Sequence, residues 1–117
     1  MNRARALGLI RDLFFRTKID ASAQTLGVEV VYASNLEAAR ARCAELAPAI
    51  VFADLSDSAF PGGETAVTMR QAAPEAKLIG FASHVDLKAL AAAREAGFDY
   101  VLSRQEFSAQ LPELLKS

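Results

Sequence analysis

AIVFADLSD, residues 49–57, is the stretch on which the reading of the chain turns. Ala49, Ile50, Val51, Phe52 and Ala53 offer no polar face, as expected of a strand covered on both sides inside a mostly parallel sheet. The run then stops at a carboxylate, Asp54, which such a strand places at its carboxyl end. Ligands and chemistry collect at that edge in open α/β sheets, so Asp54 is the first candidate functional residue. An Asp at a strand end also caps turns and helices, which is the plainer alternative.

On either side of this run, strand-like and helix-like patterns alternate. Upstream, Ala6 to Ile10 reads as a strand weakened by Gly8. Phe15, Ile19, Ala23 and Leu26 recur at helical spacing before Gly27, and Val28 to Ala33 suits an edge strand. Ser34 or Asn35 caps a helix whose buried stripe is Leu36, Ala39, Cys43 and Leu46, ended by Pro48. Downstream, SDSAFPGG supplies turn chemistry, Gly62 and Gly63 included, and a helix is expected from about Glu64 to Ala73, stopped by Pro74. Lys77 to Ala82 is a second covered strand, and Asp86 opens a helix carrying Leu87, Leu90, Ala91 and Arg94 that Gly97 stops. Tyr100 to Ser103 is a fifth strand, and Phe107, Leu111 and Leu114 mark a last helix in which Pro112 is expected only in the first turn. Five such units imply a parallel sheet with helices on both faces, a three-layer α/β/α sandwich, in a single domain of residues 1–117.

Composition removes several classes of function. Hydrophobic residues make up 52% and charged residues 23%, a globular rather than a disordered balance. A formal net charge of −1 leaves no broad cationic surface for nucleic acid, although Arg3, Arg5, Arg11, Arg16 and Lys18 form a local excess. The single cysteine, Cys43, cannot make an internal disulfide and is expected in the core. No apolar run approaches the roughly 20 residues of a membrane span, and the N-terminal residues lack the pattern of an export signal. Cytoplasmic placement is the expectation.

The Asp at the end of the third strand and the run KLIGFASHVDLKALAAAREAGFDYVLSR from Lys77 to Arg104 together resemble the receiver domain of bacterial two-component response regulators. The resemblance spans roughly Ala6 to Lys116 and implies a flavodoxin-like, CheY-like fold with strand order 2-1-3-4-5. It implies that Asp54 stands at the phosphoacceptor position, served by a histidine kinase, with Mg²⁺ held by an acidic pair after the first strand. It further implies a hydroxyl at the end of the fourth strand and a lysine at the end of the fifth to hold the phosphate.

The sequence departs from that pattern at each of these places. Arg11 and Asp12 stand where the acidic pair is expected, and an arginine there tends to act as an internal cation competing with Mg²⁺. The hydroxyl position falls on Ala82, with Ser83 next to it, and the lysine position on Arg104, or on Ser103 one residue earlier. Pro61 comes late. The expectation is therefore a pseudo-receiver, without enzymatic activity or cofactor, that signals or scaffolds through protein–protein contacts in trans. The alternative is an active phosphoacceptor in which Asp12 and Asp54 hold Mg²⁺ while Ser83 and Arg104 hold the phosphate. A small flavodoxin-like enzyme or ligand-binding domain at the same edge is a third reading.

Three further features are weighed beside these. His84 sits at the mouth of the expected site, and with Asp54 and Asp57 would make a metal cluster of weak spacing. Ala89, Ala92, Ala93 and Ala96 put small side chains on one helix, suited to a protein partner or a homodimer. Alanine also simply favours helix. No GxSxG elbow or P-loop lysine is present.

Overall fold

The computed structural model describes residues 5–116; Arg3, of the basic group above, lies outside them. Elements follow one another as β1 (Arg5–Leu9), α1 (Leu13–Leu26), β2 (Glu29–Tyr32), α2 (Leu36–Leu46), β3 (Ile50–Asp54), α3 (Gly62–Ala72), β4 (Lys77–Ala82), α4 (Leu87–Ala96), β5 (Tyr100–Ser103) and α5 (Arg104–Lys116). The strands form one parallel sheet in the order β2-β1-β3-β4-β5, as the resemblance implied.

Side chains alternate across the sheet, and each face builds its own core. Leu7, Leu9, Val51, Ala53 and Leu78 pack with residues of α2, α3 and α4. Ile50, Phe52, Ile79 and Phe81 point the other way, onto Phe15 and Ile19 of α1 and Phe107, Leu111 and Leu115 of α5. The aromatic part of this second core is tightly knit, with Phe81 and Phe107 stacked 4.3 Å apart between centroids and Phe15 and Phe52 tilted against them. By the same alternation Asp54, two residues beyond Phe52, faces the α1/α5 side.

Element ends follow from local chemistry. Asn35, not Ser34, caps α2 by accepting from the Ala38 amide at 2.8 Å, and Asp86 caps α4 by accepting from Ala89 at 3.1 Å. Gly27 and Gly97 end their helices at φ 71° and 93°, a region that glycine enters without penalty. Cys43 is buried at 3% exposure, and burial pushes its thiol pKa up. No helix among the described residues is long and apolar enough to cross a membrane.

Two expectations need correction. Gly62 and Gly63 are the first turn of α3, which starts two residues before Glu64, because Pro61 takes the N-cap position and its carbonyl accepts from the Thr65 amide. Pro112 lies deep inside α5 rather than in its first turn. The helix continues through it because Phe107 and Leu111 before it and Leu114 and Leu115 after it are all buried against the sheet. That packing offsets a cost of about 3 kcal/mol for an interior proline.

Gly8, read as a weakness in β1, is required there. A Cβ at this position would stand 2.8 Å from both the Phe52 and the Tyr32 rings. Gly8→Ala should therefore destabilise the fold by about 1–3 kcal/mol through overpacking. Urea denaturation measures this, and an unchanged midpoint would show that the rings move aside freely.

Candidate functional site

At the carboxyl edge of the sheet Asp54 is one of three buried polar residues among those described, and the only charged one, at 6% exposure. Both of its carboxylate oxygens are engaged. Oδ1 accepts from the Ser56 amide at 3.1 Å, and Oδ2 from Arg104 Nη2 at 3.0 Å. Arg104 is the first residue of α5, and its guanidinium crosses the aromatic core to get there, 5.2 Å from the Phe15 centroid and 5.6 Å from that of Phe81. The contact joins an ion pair to two ring faces, where a guanidinium lies well and an ammonium would not spread.

The start of α5 is held in place by a reciprocal cap. Ser103 Oγ accepts from the Glu106 amide at 3.0 Å while Glu106 Oε1 accepts from the Ser103 amide at 2.8 Å. The Ser103 amide first, and the Ser103 hydroxyl after it, hold the Glu106 carboxyl below the usual range. Ser103, an alternative to Arg104 in the reading above, thus caps α5 and aims its neighbour at Asp54. The Ser-x-x-Glu spacing of residues 103–106 carried that signal.

Other expected site residues are committed elsewhere. Asp12 is exposed and caps α1, its Oδ1 accepting from the amides of Phe14 and Phe15 at 3.0 and 3.2 Å. Arg11 does not enter the Asp54 pocket, as its position suggested. It forms a fork with Asp57, Nε to Oδ2 at 2.7 Å and Nη2 to Oδ1 at 2.6 Å, tying the β1–α1 loop to the β3–α3 loop. Ala82 ends β4 fully buried, and Ser83 beyond it donates its amide to Ser56 Oγ at 3.2 Å while its Oγ accepts from the Val85 amide at 3.4 Å. Among the described residues no three His, Cys, Asp or Glu side chains come together, so Asp54, Asp57 and His84 do not form a metal cluster. Mg²⁺ keeps octahedral oxygen ligation. The donors at this edge do not fit that ion as arranged, with one Asp12 oxygen spent on a cap and both Asp54 oxygens taken.

The structure divides Ala89, Ala92, Ala93 and Ala96 of α4 between core and surface. Ala93 is fully buried, and Ala89 and Ala96 pack against the core shared with α2 and α3; of these four, only Ala92 is exposed. Small side chains here let α3 approach, so that a Cβ on Gly62 would meet the Ala93 backbone at 3.6 Å.

The fold has counterparts among solved structures. The chemotaxis response regulator CheY4 of Vibrio cholerae superposes with a TM-score of 0.81 at 15% identity, over 98% of each chain. The chain has the receiver-domain fold. A putative response regulator from Chloroflexus aurantiacus matches over 99% of this chain and 100% of its own, at a TM-score of 0.80 and 19% identity. A response regulator protein from Burkholderia pseudomallei, described with a phosphorylated aspartic acid, a calcium ion and citrate, matches at a TM-score of 0.78 and 16% identity, over 96% of this chain and 66% of that one. No family model and no curated protein matches the sequence. Within the receiver fold, the end of β3 is where Asp54 stands.

Two outcomes follow from the ion pairs. Arg104→Ala leaves a buried carboxylate without its partner. With Arg104 a little over one-third exposed, the loss should be about 1–2 kcal/mol. A double-mutant cycle with Asp54→Asn isolates it, and a coupling below about 0.3 kcal/mol would dismiss the pair. The fork from Arg11, first of its causes, holds the Asp57 carboxyl below its usual value. Stability from that shift is present above the unfolded value of about 3.9 and is lost as pH falls through the lower folded value. Comparison of Asp57→Asn with the parent by denaturation should show a stability gap at about pH 6 that closes below about pH 4. A gap independent of pH would contradict the assignment.

Proposed function

We propose that the protein is a receiver-like signalling or scaffolding module whose switch position is held by an internal cation instead of a phosphoryl group. The observation that carries this reading is the Arg104–Asp54 pair, which occupies both the acceptor oxygen and the charge that Mg²⁺ would otherwise neutralise. Three losses accumulate at one site: an acidic pair reduced to a capping Asp12, an alanine at the end of β4, and a serine committed to capping at the end of β5. If each costs even about 1–2 kcal/mol of transition-state stabilisation, phosphotransfer slows by orders of magnitude. On this reading the protein is not an enzyme, needs no cofactor, and passes its signal to a protein partner in trans. Leu13 and Phe14 at the start of α1, 71% and 91% exposed, and Val85 and Leu87 before and in α4, 73% and 72%, support a role in contact.

The phosphorylated aspartate of the Burkholderia structure favours the second reading, an Asp54 that accepts phosphate despite these departures. Incubation with Mg²⁺ and acetyl phosphate, followed by intact mass measurement, separates the two. The proposed function predicts no adduct in the parent protein. A stoichiometric phosphate adduct that disappears in Asp54→Asn would establish the second reading instead.

A further inference from the structure

Between α1, the β4–α4 loop and the start of α5 lies a cavity of about 460 Å³, lined by Phe15, Lys18, Ser83, His84, Arg104, Gln105 and Ser108. Its volume is that of a small-molecule site. Its chemistry is one-sided, because the lining contains two cations, an imidazole, two hydroxyls and an amide but no carboxylate. The donors are also largely unspent. Arg104 gives Asp54 one nitrogen, Nη2, while its Nε and Nη1, Lys18 Nζ, the His84 ring and the Ser108 hydroxyl make no hydrogen bond among the described residues. The buried Phe15 ring lies beneath the guanidinium and backs the cavity there.

We propose that this cavity binds, without covalent change, a small phosphate monoester. A dianionic head matches the charge of Arg104 and Lys18 together, and the remaining Arg104 donors suit charge-assisted hydrogen bonds to its oxygens. Ser83 and Ser108 are placed to complete its hydrogen bonding. Because Arg104 is shared, the ligand and Asp54 compete for one guanidinium. Occupancy of the cavity therefore weakens the grip on Asp54, and a bound metabolite does at this edge what a covalent phosphate does elsewhere. The inference rests on the proposed function, since it needs Arg104 held against Asp54 in the resting protein.

Phenyl phosphate is the direct probe, followed by amide NMR shifts on the intact protein, with the sample weighed afterwards. Saturable shifts centred on Lys18, Ser83–His84 and Arg104–Ser108, with a dissociation constant of about 0.1–1 mM, are expected. Phenol should give none at the same concentration, and inorganic phosphate weaker ones. The Lys18→Ala/His84→Ala double variant, whose side chains are exposed and outside the Asp54 pair, should weaken binding about tenfold. Asp54→Asn, which frees Arg104, should tighten it several-fold. Absence of shifts up to about 10 mM, binding unchanged in either variant, or equal binding of phenol would overturn the inference. A covalent adduct in the mass spectrum would instead overturn the proposed function beneath it.

Discussion

A carboxylate closed off from water at the end of a covered strand requires a cation or a set of hydrogen-bond donors, and the rest of this edge of the molecule is arranged around supplying them to Asp54. The partner is a single guanidinium, 3.0 Å away, delivered from the first residue of α5. Its position depends on three things built elsewhere. Alternation along β3 sends Asp54 to the α1/α5 face, the Ser103–Glu106 cap fixes where α5 begins, and the rings of Phe15 and Phe81 give the guanidinium a surface to cross. The aromatic core is therefore part of the site as well as a source of stability.

The neighbouring loops are held by contacts that leave Asp54 to Arg104. Asp57 takes Arg11, Asp12 takes the free amides of α1, and Ser56 links the Asp54 loop to Ser83. Each of these polar groups sits at the carboxyl edge of the sheet, and each is satisfied locally. A divalent ion entering here would have to displace the Arg104–Asp54 ion pair before gaining Asp54 as a ligand.

Much of the fold was legible because the relevant signals are short-range. Lys77–Ala82 and Tyr100–Ser103 were bounded correctly by an apolar run and by turn residues, and Gly27 and Gly97 marked helix ends through a backbone conformation that depends on one residue. Pro112 was placed wrongly because local propensity argues against an interior proline, while burial of Leu111, Leu114 and Leu115, a tertiary effect, overrides it. The site was legible as a position but not as a set of partners. Arg11 qualifies as the internal cation by its position, and that Arg104 reaches Asp54 instead depends on side-chain reach across 50 residues of sequence separation. The alanines of α4 carry a related ambiguity: small side chains permit close approach from inside the domain as readily as from outside, and here α3 approaches from inside.

The central claim is that Arg104 already fills the role a metal ion would have at Asp54. The most direct measurement is a Mg²⁺ titration followed by amide NMR at Asp12, Asp54, Ser56 and Arg104. The account predicts no saturable shift at these residues up to about 10 mM Mg²⁺ in the parent protein. Saturable shifts focused on Asp12 and Asp54 at about 1 mM or below would contradict it.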